Sequence, residues 1–440
     1  MATVADTSTP KESRWGLRFF PIWIGGALSW IGSAVAQFAL VWWLTDLTGS
    51  AVVLATAASV AMLPQIVLGP LAGAYVDRWN RRLVLIVSDA FIALLALWLA
   101  WLFWSGSLEI WHVYVIIIGR ALGGIFHHPA MYAATAMLVP KKELPRVQGL
   151  KQALGGAVNI IGPPLGAVAL RLLPLHQVMF IDVVTAAIAI LPLLFIAIPE
   201  PERKALGTGA RAVIGDMLDG LRYLRSIPGM SARICVTIGI NFAWAPIASL
   251  LPLFVRDVLG GDAAGLGIVQ SAFGIGLIAG GLLMTVWGGL RSRTNMTFGA
   301  FALMALAVLG MGAAPANTLW VVAVAWLACG FFGAIGNSTF IALLQGTVSP
   351  DMQGRVVSAV QSGFTVAIPL GLALAAPFAE IFGLRTLYLV SGVTSVLICL
   401  RALTLQSIRR LDEVGHQTEG KEAPATEERS RALASQPIET

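Results

Sequence analysis

From Gly69 to Arg82 the chain reads Gly-Pro-Leu-Ala-Gly-Ala-Tyr-Val-Asp-Arg-Trp-Asn-Arg-Arg. One carboxylate, Asp77, and three guanidinium groups, Arg78, Arg81 and Arg82, crowd a turn between two long apolar runs. Charge at that density is too costly for lipid and marks an aqueous face. A second group lies inside an apolar run, where Gly124, His127 and Met131 follow Arg120 at helical spacing and share its face. Arg120 sits near mid-depth, where a cation needs a partner or a water-filled cavity. His127 and His128, just before Pro129, are read either as proton carriers or as satisfied structural residues, and one of the two has to face away from a cavity. Asp89 and Asp182 fall in other runs and are read as scaffold acids paired with nearby arginines; Asp46 and Glu380 fall near run ends. The chemistry on offer is charge pairing and proton exchange, which needs a group whose proton affinity is moved by burial and neighbours. None of these four acids stands out as the carrier. Gln37, Gln152, Asn159, Trp244, Asn337 and Gln361 are candidate cavity liners, weighed against plain helix packing. The sequence has no Gly-Lys-Ser/Thr phosphate loop, no Cys/His metal spacing and no nucleophile elbow, so ATP, metal, cofactor and enzymatic chemistry are not expected.

The elements that must hold these groups are membrane helices. The chain of 440 residues is 57% hydrophobic and only 12% charged, with a mean hydropathy of +0.80. A soluble domain carries about a quarter charged residues. Twelve apolar spans are predicted: 19–44, 51–76, 83–104, 110–138, 149–173 and 178–198, then 234–255, 265–290, 296–314, 319–348, 356–382 and 386–405. Each is long enough to cross a core of about 30 Å. The first is too long for a signal-peptide core. The net charge of +6 is explained by topology rather than by nucleic acid. With the N-terminus in the cytoplasm, all 29 lysines and arginines lie on the inside except Arg171, Arg256 and Arg385 outside and Arg120 within a span. That bias places both termini inside.

The expected organisation is an N-terminal arm (1–18), a first six-helix bundle (19–198), a cytoplasmic linker (199–233), a second six-helix bundle (234–405) and a disordered tail (406–440). The stretch 210–225 of the linker has the pattern of an amphipathic helix lying on the membrane surface. The halves resemble each other: a shift of 210 residues lays Gly123 over Gly333, His127 over Asn337 and Pro140 over Pro350. A shift of 209 lays Gln152 over Gln361 and Gly162 over Gly371. Repeats of this kind are how many secondary transporters are built, with the substrate site between the halves.

Gly73, Asp77-Arg78, Asn80 and Arg81-Arg82 resemble the signature loop between the second and third spans of the major facilitator superfamily. Asn80 replaces the second glycine of that pattern and is expected to supply the left-handed backbone of the turn. The resemblance implies a gate in which Asp77 caps the inward end of the eleventh span, near Arg355, and locks the cytoplasmic side. It also implies that Arg120, followed by Gly123 and Gly124, belongs to the cavity and to proton coupling. Gly162-Pro163-Pro164-Leu165-Gly166 is similar to the antiporter element of the fifth span, matching at Gly162, Pro163 and Gly166 and departing at Val158 and Ala167. Within the family that element implies export. Thr45–Ser50, Leu138–Pro140, Phe180–Asp182 and Gly354–Val356 resemble the macrolide-efflux and enterobactin-exporter branch.

The expectation is an all-α membrane protein of two pseudo-symmetric six-helix bundles in a bacterial cytoplasmic membrane. It would act as a monomeric, proton-driven exporter of hydrophobic or amphiphilic small molecules, without nucleic acid. The alternatives are a dedicated exporter of one metabolite, such as a siderophore or lipid, and a transport-inactive sensor or scaffold.

Overall fold

The computed structural model describes residues 15–76, 79–199, 210–290, 292–349 and 351–405. They form α1 (Trp15–Thr48), α2 (Ala51–Val76), α3 (Arg81–Ser105), α4 (Ile110–Leu138), α5 (Leu144–Leu172) and α6 (Leu175–Phe195), then a linker helix α7 (Ala210–Ser226). The second set is α8 (Met230–Ser249), α9 (Ala263–Trp287), α10 (Arg293–Ala313), α11 (Leu319–Thr347), α12 (Gln353–Phe382) and α13 (Leu384–Thr404). All but α7 are long and apolar enough to cross a membrane, giving twelve spans. Helix is the form these runs must take, because lipid offers no partner for an open backbone N–H or C=O. An even number of crossings puts the start of α1 and the end of α13 on one face, called here the termini face; the opposite one is the distal face.

Two local expectations change. Asn80 is extended, with φ −61° and ψ 110°, and not left-handed. Its side chain accepts the Leu83 N–H at 2.9 Å, so asparagine stands there as the N-cap of α3. The seventh span stops at Ser249 and continues through a short turn, Leu251–Leu253, into a π-helical turn, Phe254–Val258. Pro252 has no N–H to give to the preceding turn. The carbonyl of Ile247, near the broken end, is taken by the buried Tyr388 hydroxyl of α13 at 2.8 Å.

Within the first six spans, α3 packs on α4 and α6, and α1 on α5 and α6; the second six repeat this with α10 on α11 and α13, and α8 on α12 and α13. The repeat extends to single residues. Gly162 of α5 lets α1 approach at Ala34, and Gly371 of α12 lets α8 approach at the Phe242 carbonyl. Short of its last residue, α3 exposes only apolar side chains, among them Leu83, Val87, Phe91, Leu94 and Trp101. Such a face suits lipid. The linker helix α7 forms as expected, but it is docked on α12, α2 and α8: Gly220 abuts the Arg355 carbonyl and Asp219 lies 3.8 Å from the Arg355 guanidinium.

The two sets of six meet along α5–α9 and α2–α12. Toward the distal face they share one apolar core, in which Phe38, Leu54 and Ala167 pack with Ile247, Leu251 and Leu266. Toward the termini face the cores are separate: Phe19, Leu85 and Leu138 belong to one, Met230, Phe340 and Val356 to another. The halves are therefore joined distally by a shared core, whereas at the termini face their apolar cores are separate and the linker helix α7 touches both α2 and α12.

Candidate functional site

The distal closure is reinforced by polar bonds between the halves. Arg256, after the broken end of α8, lies 3.3 Å from the Asp46 carboxylate and donates to the Asp46 carbonyl at 3.0 Å. Glu380 of α12 accepts from Ser50 Oγ at 2.6 Å and from the Val52 N–H at 3.2 Å, at the start of α2. Asp257 beside Arg256 has its carboxyl pushed up by burial and pulled back by that guanidinium. These groups are exposed enough that each pair contributes about 0–1 kcal/mol. The shared apolar core does more to hold this face shut.

The α5–α9 seam has a specific polar bond, and it starts from the proline pair. Pro164 lacks the N–H that would reach Ile160 O, so that carbonyl is orphaned inside α5. Ser271 Oγ of α9 sits 2.7 Å from it, and 2.9 Å from Gly267 O of its own helix. Gly162 and Gly166 turn the other side of the same helix onto Ala34 and Phe38 of α1, while Gly267 packs on Pro163 and Ala167. The Gly162–Pro163–Gly166 element thus joins α1, α5 and α9. Ser271→Ala is expected to leave Ile160 O unpaired at the seam, costing about 1 kcal/mol, and to shift the thermal midpoint of the purified protein downward. An unchanged midpoint would mean that Ser271 spends its proton on Gly267.

Two cavities flank this frame. One, of about 400 Å³, lies between the halves: Gln37, Leu54, Ile117 and Arg120 face Ala248, Ser249, Pro252 and Gln270. The other, of about 300 Å³, lies wholly within the first six spans and is lined by Trp23, Trp30, Ser33, Asp89, His127, His128, Tyr132 and Lys151. A short polar string stands between them. Arg120 pairs with Asp182 Oδ2 and Ser33 Oγ donates to Asp182 Oδ1 at 2.7 Å, while the Asp182 side chain is 1% exposed. Ser33 lines one cavity and Arg120 the other. Close packing makes the string possible, because Gly32 brings α1 onto Thr185 of α6 with no room for a Cβ. In the second cavity His127 Nε2 lies 3.2 Å from Asp89 Oδ1, and Lys151 Nζ rides 3.3 Å over the Tyr132 ring.

Asp182 has an arginine partner as anticipated, but the partner of Asp89 is His127, not an arginine. Asp89 can reach it because the inward side of α3 packs on α4. His127 and His128 both line the cavity, so neither is turned away from it as the sequence reading expects of one of them. Gln37 and Arg120 line the inter-half cavity and His127 the other; Asn159 and Asn337 are exposed and line neither. The backbone at Asn159 packs on Gly274 of α9. Trp244 stacks on Trp326 at 5.1 Å within the core of the second half, beside Phe273. Of the signature turn, Gly73 lies in α2, and Asp77 and Arg78 lie outside the described residues. Arg81 meets Met137 of α4. Arg82 donates to the carbonyls of Leu193 and Leu194, capping the C-terminal end of α6. The distal pairs of Asp46 and Glu380, the Ser271 bond and Gln270 were not foreseen; only Ser271 left a signal, since the double proline demands a donor for a freed carbonyl.

Twelve spans in two six-helix sets, with a polar-edged cavity between them, have the architecture of a secondary membrane transporter. The chain belongs to the Major Facilitator Superfamily, whose profile matches residues 22–293 and 233–438. Macrolide efflux protein A of Streptococcus pyogenes is 31% identical over 406 residues, covering 91% of this chain and 99% of that protein. Multidrug efflux pump Tap of Mycolicibacterium fortuitum is 26% identical over 391 residues, covering 87% and 94%. Among solved structures, a variant of the nucleoside transporter NupG matches with a TM-score of 0.65 at 14% identity, over 86% of this chain and 98% of that one. A bacterial homologue of the human lysosomal transporter Spinster, inward-facing and unoccupied, matches with a TM-score of 0.66 at 13% identity, over 93% and 98%. The chain is a drug-efflux transporter of this superfamily with bacterial relatives.

Proposed function

We propose that the protein exports hydrophobic or amphiphilic small molecules of the macrolide kind in exchange for protons, as a monomer, with both termini in the cytoplasm. The observation that carries this is the inter-half cavity, whose walls come from both sets of six spans and whose distal end is closed by shared core and polar bonds. Parted cores at the termini face leave the two halves free to rock about that site, the arrangement that alternating access needs. Walls of Leu54, Ile117, Ala248 and Pro252, edged by Gln37, Arg120 and Gln270, suit a bulky, largely apolar ligand with a few polar groups. The efflux relatives support the same direction of transport. Asp77 of the Gly73–Arg82 signature would serve to cap the start of α12 whenever the cytoplasmic face is closed; a carboxylate there gains about 0.3–1 kcal/mol from the helix dipole.

The test is an accumulation panel in an exporter-deficient host, with and without a protonophore. Cells making the protein should hold several-fold less macrolide, and the protonophore should erase the difference. One compound handled far better than all others would make the protein a dedicated carrier. Accumulation that ignores both protein and proton gradient would end the export reading.

A further inference from the structure

The two intramembrane acid pairs of the first half are not equivalent. Asp182 has both carboxylate oxygens occupied, one by Ser33 and one by Arg120, and is sealed from water. Its partner is a guanidinium, which does not release its proton in a protein. That pair is a permanent strut. Asp89 differs in its surroundings: it too is buried, at 8% exposed, but it lines the cavity and its partner is an imidazole, the one side chain whose ordinary titration lies near neutral pH. Asp89 is also the one carboxylate of α3, whose other face is given to apolar side chains, and it is turned inward onto His127.

Resting on the proton-coupled reading above, we propose that Asp89 and His127 form the proton-binding pair of transport. The cavity inside the first six spans is their water path, separate from the ligand's route between the halves. In the loaded state His127 is an imidazolium whose Nε2–H donates to the Asp89 carboxylate. On release the imidazolium gives its other ring proton, from Nδ1, to water in the cavity, and a neutral imidazole keeps its Nε2–H bond to the carboxylate. The Ser33–Asp182–Arg120 string borders both the ligand route and the proton path.

The charged and titratable groups facing the pair are few. From α4 come His128 and Tyr132, and from α5 Lys151, seated on the Tyr132 ring. From α1 come Trp23, Trp30 and the hydroxyls of Ser29 and Ser33, and from α6 Ala186, with Asp182 behind Ser33. Lys151 is the one lysine or arginine among the residues that line this cavity.

The experiment uses the purified full chain in proteoliposomes, with radiolabelled erythromycin and ethidium as probes. Gradient-driven transport is compared with exchange at zero gradient. Asp89→Asn and His127→Gln should lose gradient-driven transport by about tenfold or more while exchange continues, and proton release on probe binding, read by a pH dye, should vanish. Asp89→Glu should restore both. Stimulation by the gradient that persists in Asp89→Asn and His127→Gln, with the unaltered protein also stimulated, overturns this inference and leaves the coupled reading intact. Loss of exchange in Asp89→Asn without rescue by Asp89→Glu also overturns it, since that is the mark of a structural pair. An unaltered protein that ignores the gradient ends both readings.

Discussion

Arg120→Ala is expected to cost about 3–5 kcal/mol of stability and to abolish transport. The substitution leaves Asp182, 1% exposed, as a buried carboxylate held by Ser33 alone. Removing one member of a buried pair is expensive because the survivor keeps its charge without a counter-charge. Replacing both members is different: Arg120→Met with Asp182→Leu takes away two desolvated charges together and should bring stability back to near or above the starting value. Transport should not return with it, because Arg120 also edges the inter-half cavity. Thermal unfolding of the purified protein, paired with drug accumulation in cells, separates the two effects. A single Arg120→Ala variant as stable as the parent would mean that the pair is solvated and that Asp182 is not the strut described here.

The number, length and order of the spans could be read from the chain, because apolar length is a local property that each segment carries by itself. The need of Arg120 for a partner could also be read, since mid-depth charge demands one. Its identity could not, because Asp182 is 62 positions away and the close approach at Gly32 and Thr185 brings Ser33 to it. Asp89 was misassigned for a related reason: a scaffold helix has an inner side as well as a lipid side, and only packing says which acids it carries inward. Pro252 carried a readable signal for the break after Ser249. Pro164 carried one for the Ser271 bond, because each proline removes a specific N–H. Nothing local marks Gln270 over the other polar residues, since its place in the cavity depends on how α9 docks on the opposite half.

Within the second half α9 and α11 approach closely, so that a Cβ built on Gly276 would lie 2.0 Å from Leu327 O, and one on Gly330 would lie 2.2 Å from Phe273 O. One turn on, a Cβ at Gly280 would lie 2.3 Å from Phe331 O. These obstacles are backbone carbonyls, which cannot rotate away as a side chain can. Glycine to alanine inside a helix ordinarily helps by about 0.5–1 kcal/mol. At Gly276, Gly280 and Gly330 the sign should reverse, with a cost of about 1–3 kcal/mol or more as the helices are forced apart. Because α9 also carries Ser271 and Gln270, its displacement should weaken the seam with α5 and lower transport in step with stability. Gly281, the next residue, has open space where its Cβ would stand. The decisive comparison is therefore Gly280→Ala against Gly281→Ala, by thermal midpoint and by drug accumulation. The first should lose several degrees and most of its activity, and the second should match or exceed the parent in stability. Equal shifts in both would show that composition, and not the α9–α11 contact, sets the tolerance of this helix.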